Sequence, residues 1–365
     1  MSRLATLISL AVCSVAVAAQ GIAADKTHYK LTDIGDLTKS HEASITFASG
    51  INDSGDIVGQ SFNDQFKGRA FLWQKGRMTD LGDIGLLGTF PASLSAFAVN
   101  KHDAVVGTAM GTGSNTTTRA FLWNKGFMLD IGTLRGQGQG VFASAINSRG
   151  DIVGAGFRSP GDLRALRWIA GALPVELGGL PDGRVAVQAF GVSEKGDIVG
   201  YLSPGGTVSF AHAFIYKSGK FTDLGVLPGT TLSFANAVNE LGEVVGQSLN
   251  TLVPNTGRAF LWEAGAMLDL GAAAPSHTRS EARAINKKGM VVGSSGVSSL
   301  SVAWIWSDGV NTNLNTLIDA KDPNRSFVTL TQATGINDKG EIAVQGIDRR
   351  LGAANVRSYL LTPAK

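Results

Sequence analysis

From Arg69 to Gly82 the chain reads RAFLWQKGRMTDLG, and nearly the same fourteen residues return from Arg119 and from Arg258. Apolar and polar positions alternate with period two on both sides of Lys75-Gly76, as in two half-exposed strands joined by a tight turn. A second pattern precedes each copy: a small residue, Ile or Val, Asn, two variable residues, Gly, then an apolar pair and another Gly. It runs GINDSGDIVG from Gly50, AVNKHDAVVG from Ala98, AINSRGDIVG from Ala145 and GVSEKGDIVG from Gly191. Three more copies follow, AVNELGEVVG from Ala237, AINKKGMVVG from Ala284 and GINDKGEIAV from Gly335, so that seven copies stand 46 to 51 residues apart. The Asn-x-x-Gly step predicts a short hairpin whose Gly takes left-handed backbone. Asp103 stands there in the second copy, and Asp tolerates the same region.

Each unit thus predicts four strands: an Ala-rich approach to the Asn, then elements of the type DIVG, RAFLW and MTDLG. Four-strand units of this length fit the blades of a β-propeller. The fold expected is all-β, a seven-bladed propeller of four-stranded antiparallel blades with repeats starting near residues 43, 92, 141, 185, 231, 280 and 328. The last unit ends RSYLLTPAK without its fourth element, whereas KLTDIG from Lys30 stands alone at the other end. Pairing the two would close the ring and hide both free sheet edges; an open array would instead need capping repeats.

The same register assigns roles to side chains. Four residues before each Asn (or Ser193) stands an Ala, from Ala48 to Ala333, as crowded first strands require. Trp73, Trp123, Trp168, Trp262 and Trp306 end the third strand and are expected to fill the space between sheets rather than to stack sugars. Arg69 falls diagonal to Asp80 across the hairpin, within salt-bridge reach, and the pairing recurs as Arg119–Asp130, Arg164–Glu176, His212–Asp223, Arg258–Asp269 and Arg357–Asp33. Val302 and Asn313 replace both partners together in the sixth unit, so the pairs read as structural glue.

Around His212-Ala213-Phe214 the repeat string is similar to that of the HAF-repeat family of extracellular bacterial proteins. The resemblance spans nearly the whole chain after its first residues. It implies export and a repeated β fold, and carries no established activity or catalytic residues to transfer. VAWIW and EIAVQG, in the sixth and seventh units, depart from the common forms.

Composition agrees with many short strands: 47 Gly and 17% charged residues in 365. Arg3 followed by LATLISLAVCSVAVAA and QGIAADK predicts a signal peptide over residues 1–24, with residues 25–365 as one domain in the periplasm or outside the cell. The only cysteine, Cys13, lies in that leader; LAVC weakly resembles a lipoprotein site, but Val12 stands where a small residue is needed. A net charge of +3 without basic tracts argues against nucleic acid, and the chain is expected to be a monomer with no cofactor.

Chemistry is harder to place. The five histidines show no metal-ligand spacing, and GQGQG from Gly136 lacks the residues of a phosphate loop. The links between strands two and three, and between units, are long and dissimilar, which makes that face the expected binding surface. Its candidate binding residues are Phe62, Asp64, Phe66, Arg158 and Arg184, with His277, Arg279, Arg325 and Arg349. Phe142 and Phe210 are read as loop phenylalanines available to an interface. Asp319 and Asp322 are the weak catalytic candidates. The favoured function is a binding scaffold for a protein, glycan or cell-surface ligand; the alternative is a polysaccharide lyase or hydrolase at the channel mouth.

Overall fold

The computed structural model describes residues 27–38, 45–62, 67–84, 93–111, 118–132, 140–169, 173–205, 210–253, 256–297, 300–351 and 356–364. Within them the chain is all-β, with one 3-10 turn at Leu314–Leu317 and no α-helix. No helix of the described residues is long and apolar enough to cross a membrane. The expected leader lies outside them.

Strands fall into consecutive antiparallel groups of four. The first comprises Thr46–Ile51, Ile57–Phe62, Gly68–Gln74 and Arg77–Asp80. Groups two, three and four repeat this order over 93–130, 141–176 and 184–225. Groups five and six, over 232–271 and 279–313, are joined by a single parallel pair, Gly257 with Arg279. The last sheet takes Val328–Ile336, Ile342–Asp348 and Val356–Pro363, and its fourth strand is Tyr29–Asp33 from the other end of the chain. Tyr29 lies opposite Pro363 and Asp33 opposite Tyr359. The outer edge of that added strand is covered in part, because the Leu31 N–H donates to Asp322 Oδ2 at 2.8 Å.

Turn chemistry follows the sequence closely. Lys75 and Gly76 both have positive φ (50° and 85°), the two-residue turn whose twist suits a hairpin. Asp103 has φ 62°, the left-handed backbone that Gly supplies at the sister positions. The core lies between sheets rather than within one. Val58, Leu72 and Leu81 of the first group pack with Leu94, Val105 and Phe121 of the second. Ala343 and Leu360 of the last sheet pack in the same way against Ala48, Phe71 and Trp73 of the first.

The repeated Asn does more than shape a turn. In Asn52 the side-chain oxygen accepts the N–H groups of Ser54 and Asp56, both at 2.9 Å. Its Nδ2 donates to the Asn100 carbonyl of the next sheet at 3.1 Å. Asn100 reaches Asn147 O, Asn147 reaches Ser193 O, Asn239 reaches Asn286 O and Asn286 reaches Asn337 O, all at 3.0–3.1 Å. Asn337 then donates to Asn52 O at 3.0 Å, linking the last sheet to the first. One rung differs. Ser193 has no amide, and its hydroxyl oxygen accepts the Asp197 N–H instead.

Two variants should move stability in opposite directions. Asn286→Ala strands the N–H groups of Lys288 and Met290 and the Asn337 carbonyl, and should cost about 2–3 kcal/mol in urea unfolding. Ser193→Asn should add the missing rung to the Asn239 carbonyl and gain about 1 kcal/mol; a lower urea midpoint in this variant would count against the ladder.

Candidate functional site

Every first strand carries a β-bulge at the same place, three residues before the Asn. Pairing with the second strand jumps between Ala48 and Gly50, Ala96 and Ala98, Ala143 and Ala145, and Ala189 and Gly191. The last three jumps fall between Ala235 and Ala237, Ala282 and Ala284, and Ala333 and Gly335. A bulge leaves one residue unpaired and re-aims its side chain. The seven bulged residues are Ser49, Phe97, Ser144 and Phe190, then Asn236, Arg283 and Thr334, and all of them line one cavity of about 670 Å³.

Second-strand glycines allow the strands to approach this closely. A Cβ at Gly154 would overlap the Phe142 carbonyl oxygen, and one at Gly200 that of Gln188. The alanine just before each bulged residue is fully buried, pointing between sheets while its neighbours face the cavity. A further ring of lining residues stands two positions earlier and includes Phe142, Gln188, Phe234, Glu281 and Gln332.

The wall is two-sided. In groups two to five one phenylalanine per sheet faces the cavity, alternately from the bulge and from two residues before it: Phe97, Phe142, Phe190, Phe234. Tyr201 backs two of them, stacked on Phe190 at 6.0 Å and edge-on to Phe234 at 5.1 Å. Groups six and seven carry polar groups instead. Arg283 Nη2 lies 3.0 Å from Glu281 Oε2, and Asn236 Nδ2 donates to Glu281 Oε1 at 3.3 Å. Gln345 donates to the Ala48 carbonyl at 3.0 Å. Beside this corner is a smaller recess of about 180 Å³, lined by Arg279, Glu281, Arg283, Gln332 and the serines Ser294, Ser295 and Ser301. A third cavity, of about 470 Å³, lies at the Asn turns and carries both acidic and basic side chains, Asp53, Glu194, Lys101 and Lys287 among them.

The loop residues expected to bind are scattered by comparison. Phe62 packs edge-on to Phe47 at 6.5 Å; Asp64 and Phe66 lie outside the described residues. Arg158 is held by Asp162 at 2.7 Å. Arg325 is exposed, and the Arg349 guanidinium donates to the Ser326 carbonyl. His277 and Arg279 alone come near the cavity: His277 Nδ1 is 2.9 Å from Ser295 Oγ, and Arg279 lines the recess. Asp319 accepts the Lys321 N–H, and Asp322 accepts those of Leu31 and Asn324, so both carboxylates serve backbone beside the terminal strand and neither lines a described cavity. Phe142 belongs to a first strand, not to a loop as its sequence context suggested. Its signal was present all the same: it alternates with the invariant Ala143, the mark of a strand with one face out of the core. Among the described residues no group of three His, Cys, Asp or Glu is placed to hold a metal ion.

The hairpin ion pairs form largely as the register required. Arg69–Asp80 closes at 3.0 Å, Arg119–Asp130 at 3.5 Å, Arg258–Asp269 at 2.9 Å and Arg357–Asp33 at 2.9 Å. Arg164 departs, pairing with Asp162 at 2.6 Å instead of Glu176. The fourth strand there is only Val175–Glu176, and Asp162 lies two residues away on the same strand face. Arg184 joins the His212–Asp223 pair and also bonds Asp182, which accounts for its charge without a ligand. Burial pushes the Asp223 carboxyl up, but His212, Arg184 and the Gly225 N–H more than offset it and hold it well below the usual range.

No family model matches this sequence, and no curated protein matches it. Solved structures do. A prolyl endopeptidase aligns with a TM-score of 0.58 at 9% identity, covering 89% of this chain and 51% of that one. The acylaminoacyl peptidase of Pyrococcus horikoshii aligns at 0.50 and 9%, covering 90% and 52%. An oligogalacturonate lyase in complex with manganese aligns at 0.52 and 10%, covering 93% and 91%. The fold is propeller-like. The chain spans about half the length of the two peptidases, and at such identities the likeness concerns the fold alone.

Asp223 generates a pH test. Its depressed folded pKa contributes stability that is present above the unfolded value of about 3.9 and is lost as pH falls towards the folded one. Asp223→Asn should therefore unfold at lower urea than the parent at pH 7, with the gap narrowing below about pH 4. A gap that is constant with pH would remove the ionic cluster as a source of stability.

Proposed function

We propose that this protein is an exported member of the HAF-repeat family, a closed seven-bladed propeller that binds a small ligand in the cavity ringed by its bulges. Closure is supported by the Tyr29–Asp33 strand in the last sheet and by the Asn337–Asn52 bond between last and first sheets. Export rests on the leader pattern of the sequence.

One observation carries the binding reading: all seven bulged residues line a single cavity, and they differ in chemistry while the alanines beside them do not. A scaffold that needed only to pack would gain nothing from aiming side chains of five kinds into one space. The volume lies within the roughly 300–1,000 Å³ of small-molecule sites. The cavity lies on the side of the first strands away from the Asn turns, so its mouth opens towards the variable links. Glu281 is the single carboxylate among its lining residues and is engaged by Arg283 and Asn236, which favours holding a ligand over general acid–base work.

The test is a thermal-shift screen of organic acids, sugars and short peptides against the full chain. Compounds that raise the melting temperature should lose their effect in Ser144→Trp, which fills the cavity, and keep it in Arg158→Ala and Arg349→Ala. Ligands that survive Ser144→Trp unchanged would move the site to the loops.

A further inference from the structure

We propose that the cavity ligand is an organic monoanion with a flat apolar body, its carboxylate seated in the recess between Arg279 and Arg283. This rests on the cavity-binding reading and specifies its ligand class.

Charge points to the head group. The recess brings together two guanidinium groups, Arg279 and Arg283, and one carboxylate, Glu281. Arg279 is loosely held, its Nη2 3.9 Å from Glu281 Oε2, and its side chain is about half exposed (54%). Gln332, with its amide turned so that the oxygen meets donors, accepts from Arg283 Nε at 2.7 Å and Nη2 at 2.5 Å and donates to Gln345 at 3.2 Å. Arg283 is thereby fixed through Nε and Nη2, and its Nη1 has no hydrogen-bond partner among the described residues. Ser294 and Ser301 line the same recess. Donors therefore outnumber acceptors, and one positive charge stays uncompensated. A planar carboxylate matches both the guanidinium fork and that single charge; a phosphate dianion would leave excess negative charge against Glu281.

The body follows from the other wall. Phe234 and Asn236 of the fifth group adjoin Glu281 and Arg283 of the sixth, so the aromatic arc begins where the polar corner ends. Phe97 presents 40% of its surface and is the most open apolar face in the cavity. Phe190 and Phe234 are braced from behind by Tyr201, a rigid platform that loses little entropy on binding. The arc also carries Ser144 and Gln188, but four phenylalanines give it most of its surface, which suits an aromatic or alicyclic ring better than a hydroxyl-rich sugar.

Isothermal titration on the full chain separates the terms, with naphthoate, naphthamide and glucuronate as probes. Naphthoate should bind roughly tenfold more tightly than naphthamide, and glucuronate more weakly than either. Arg279→Met, at an exposed side chain, should erase the naphthoate preference, as should Arg283→Met wherever its melting temperature matches the parent. Phe97→Ala should weaken naphthoate and naphthamide alike. Added salt should weaken naphthoate and leave naphthamide unchanged. Equal affinities for acid and amide, with both abolished by Ser144→Trp, would overturn the acid-head assignment and leave cavity binding standing. Tighter binding of glucuronate would overturn the apolar body. Failure of all three probes would overturn the monoanion proposal, and the wider thermal-shift screen would then judge the cavity itself.

Discussion

The contact on which most of this architecture depends is the approach, in six of its seven sheets, of the first strand's backbone to a second-strand glycine, with Val344 holding that place in the last. At Gly59, Gly107, Gly154, Gly200, Gly246 and Gly293 any Cβ would collide with a carbonyl across the pair. Without that atom the strands close up beside the bulge, whose extra residue leaves the ladder and turns its side chain away from the sheet interface; the last sheet keeps the same bulge with Val344. The neighbouring alanine is small enough to let the next sheet pack against it. A structural demand, tight packing of first strands, thus produces a cavity wall set by residues the packing does not constrain.

Other constant residues serve the same separation. The Asn at six of the seven hairpins satisfies its own turn and lends its amide to the next sheet, so those sheets are keyed in register by a directional bond as well as by apolar burial. Hairpin ion pairs sit farther out, partly exposed, where such pairs are worth little individually. Asp322 and the 3-10 turn at Leu314–Leu317 belong to the packing around the terminal strand: the carboxylate covers an edge N–H, and Leu317 packs in the same core cluster as Tyr29 and Leu31. Residues that looked chemically suggestive in isolation are consumed by these duties, Arg184 and Asp322 most plainly.

A site built on strands behaves differently from one built on loops. Phe190 and Phe234 are fixed by strand pairing and by Tyr201 behind them, and Arg283 by Glu281 and Gln332. Groups held in this way recognise a ligand with small reorganisation, which favours selectivity between compounds of similar size. The wall divides into an arc rich in phenylalanine and a corner that holds its charged groups, Glu281 and Arg283.

Strand order, hairpin positions, the left-handed Asp103, the small first-strand positions and most ion-pair partners were legible in the sequence, since each depends on local spacing or on a register the turns impose. The pairing of Tyr29–Asp33 with the last sheet was legible too, because a missing element and a spare one define each other. The cavity was not. Phe97, Phe142, Arg283 and their fellows are far apart in the chain, and no local rule says that seven bulges meet in one space. Phe142 read as a loop residue because a bulge breaks the strict alternation that marks a strand. Arg164 chose Asp162 over Glu176 because side-chain geometry, not register, selects between two nearby acids. Sequence by itself determined the units and their internal pairing, which short-range sterics control. Only the tertiary structure decided which side chains converge, because convergence depends on how whole sheets pack around a shared interior.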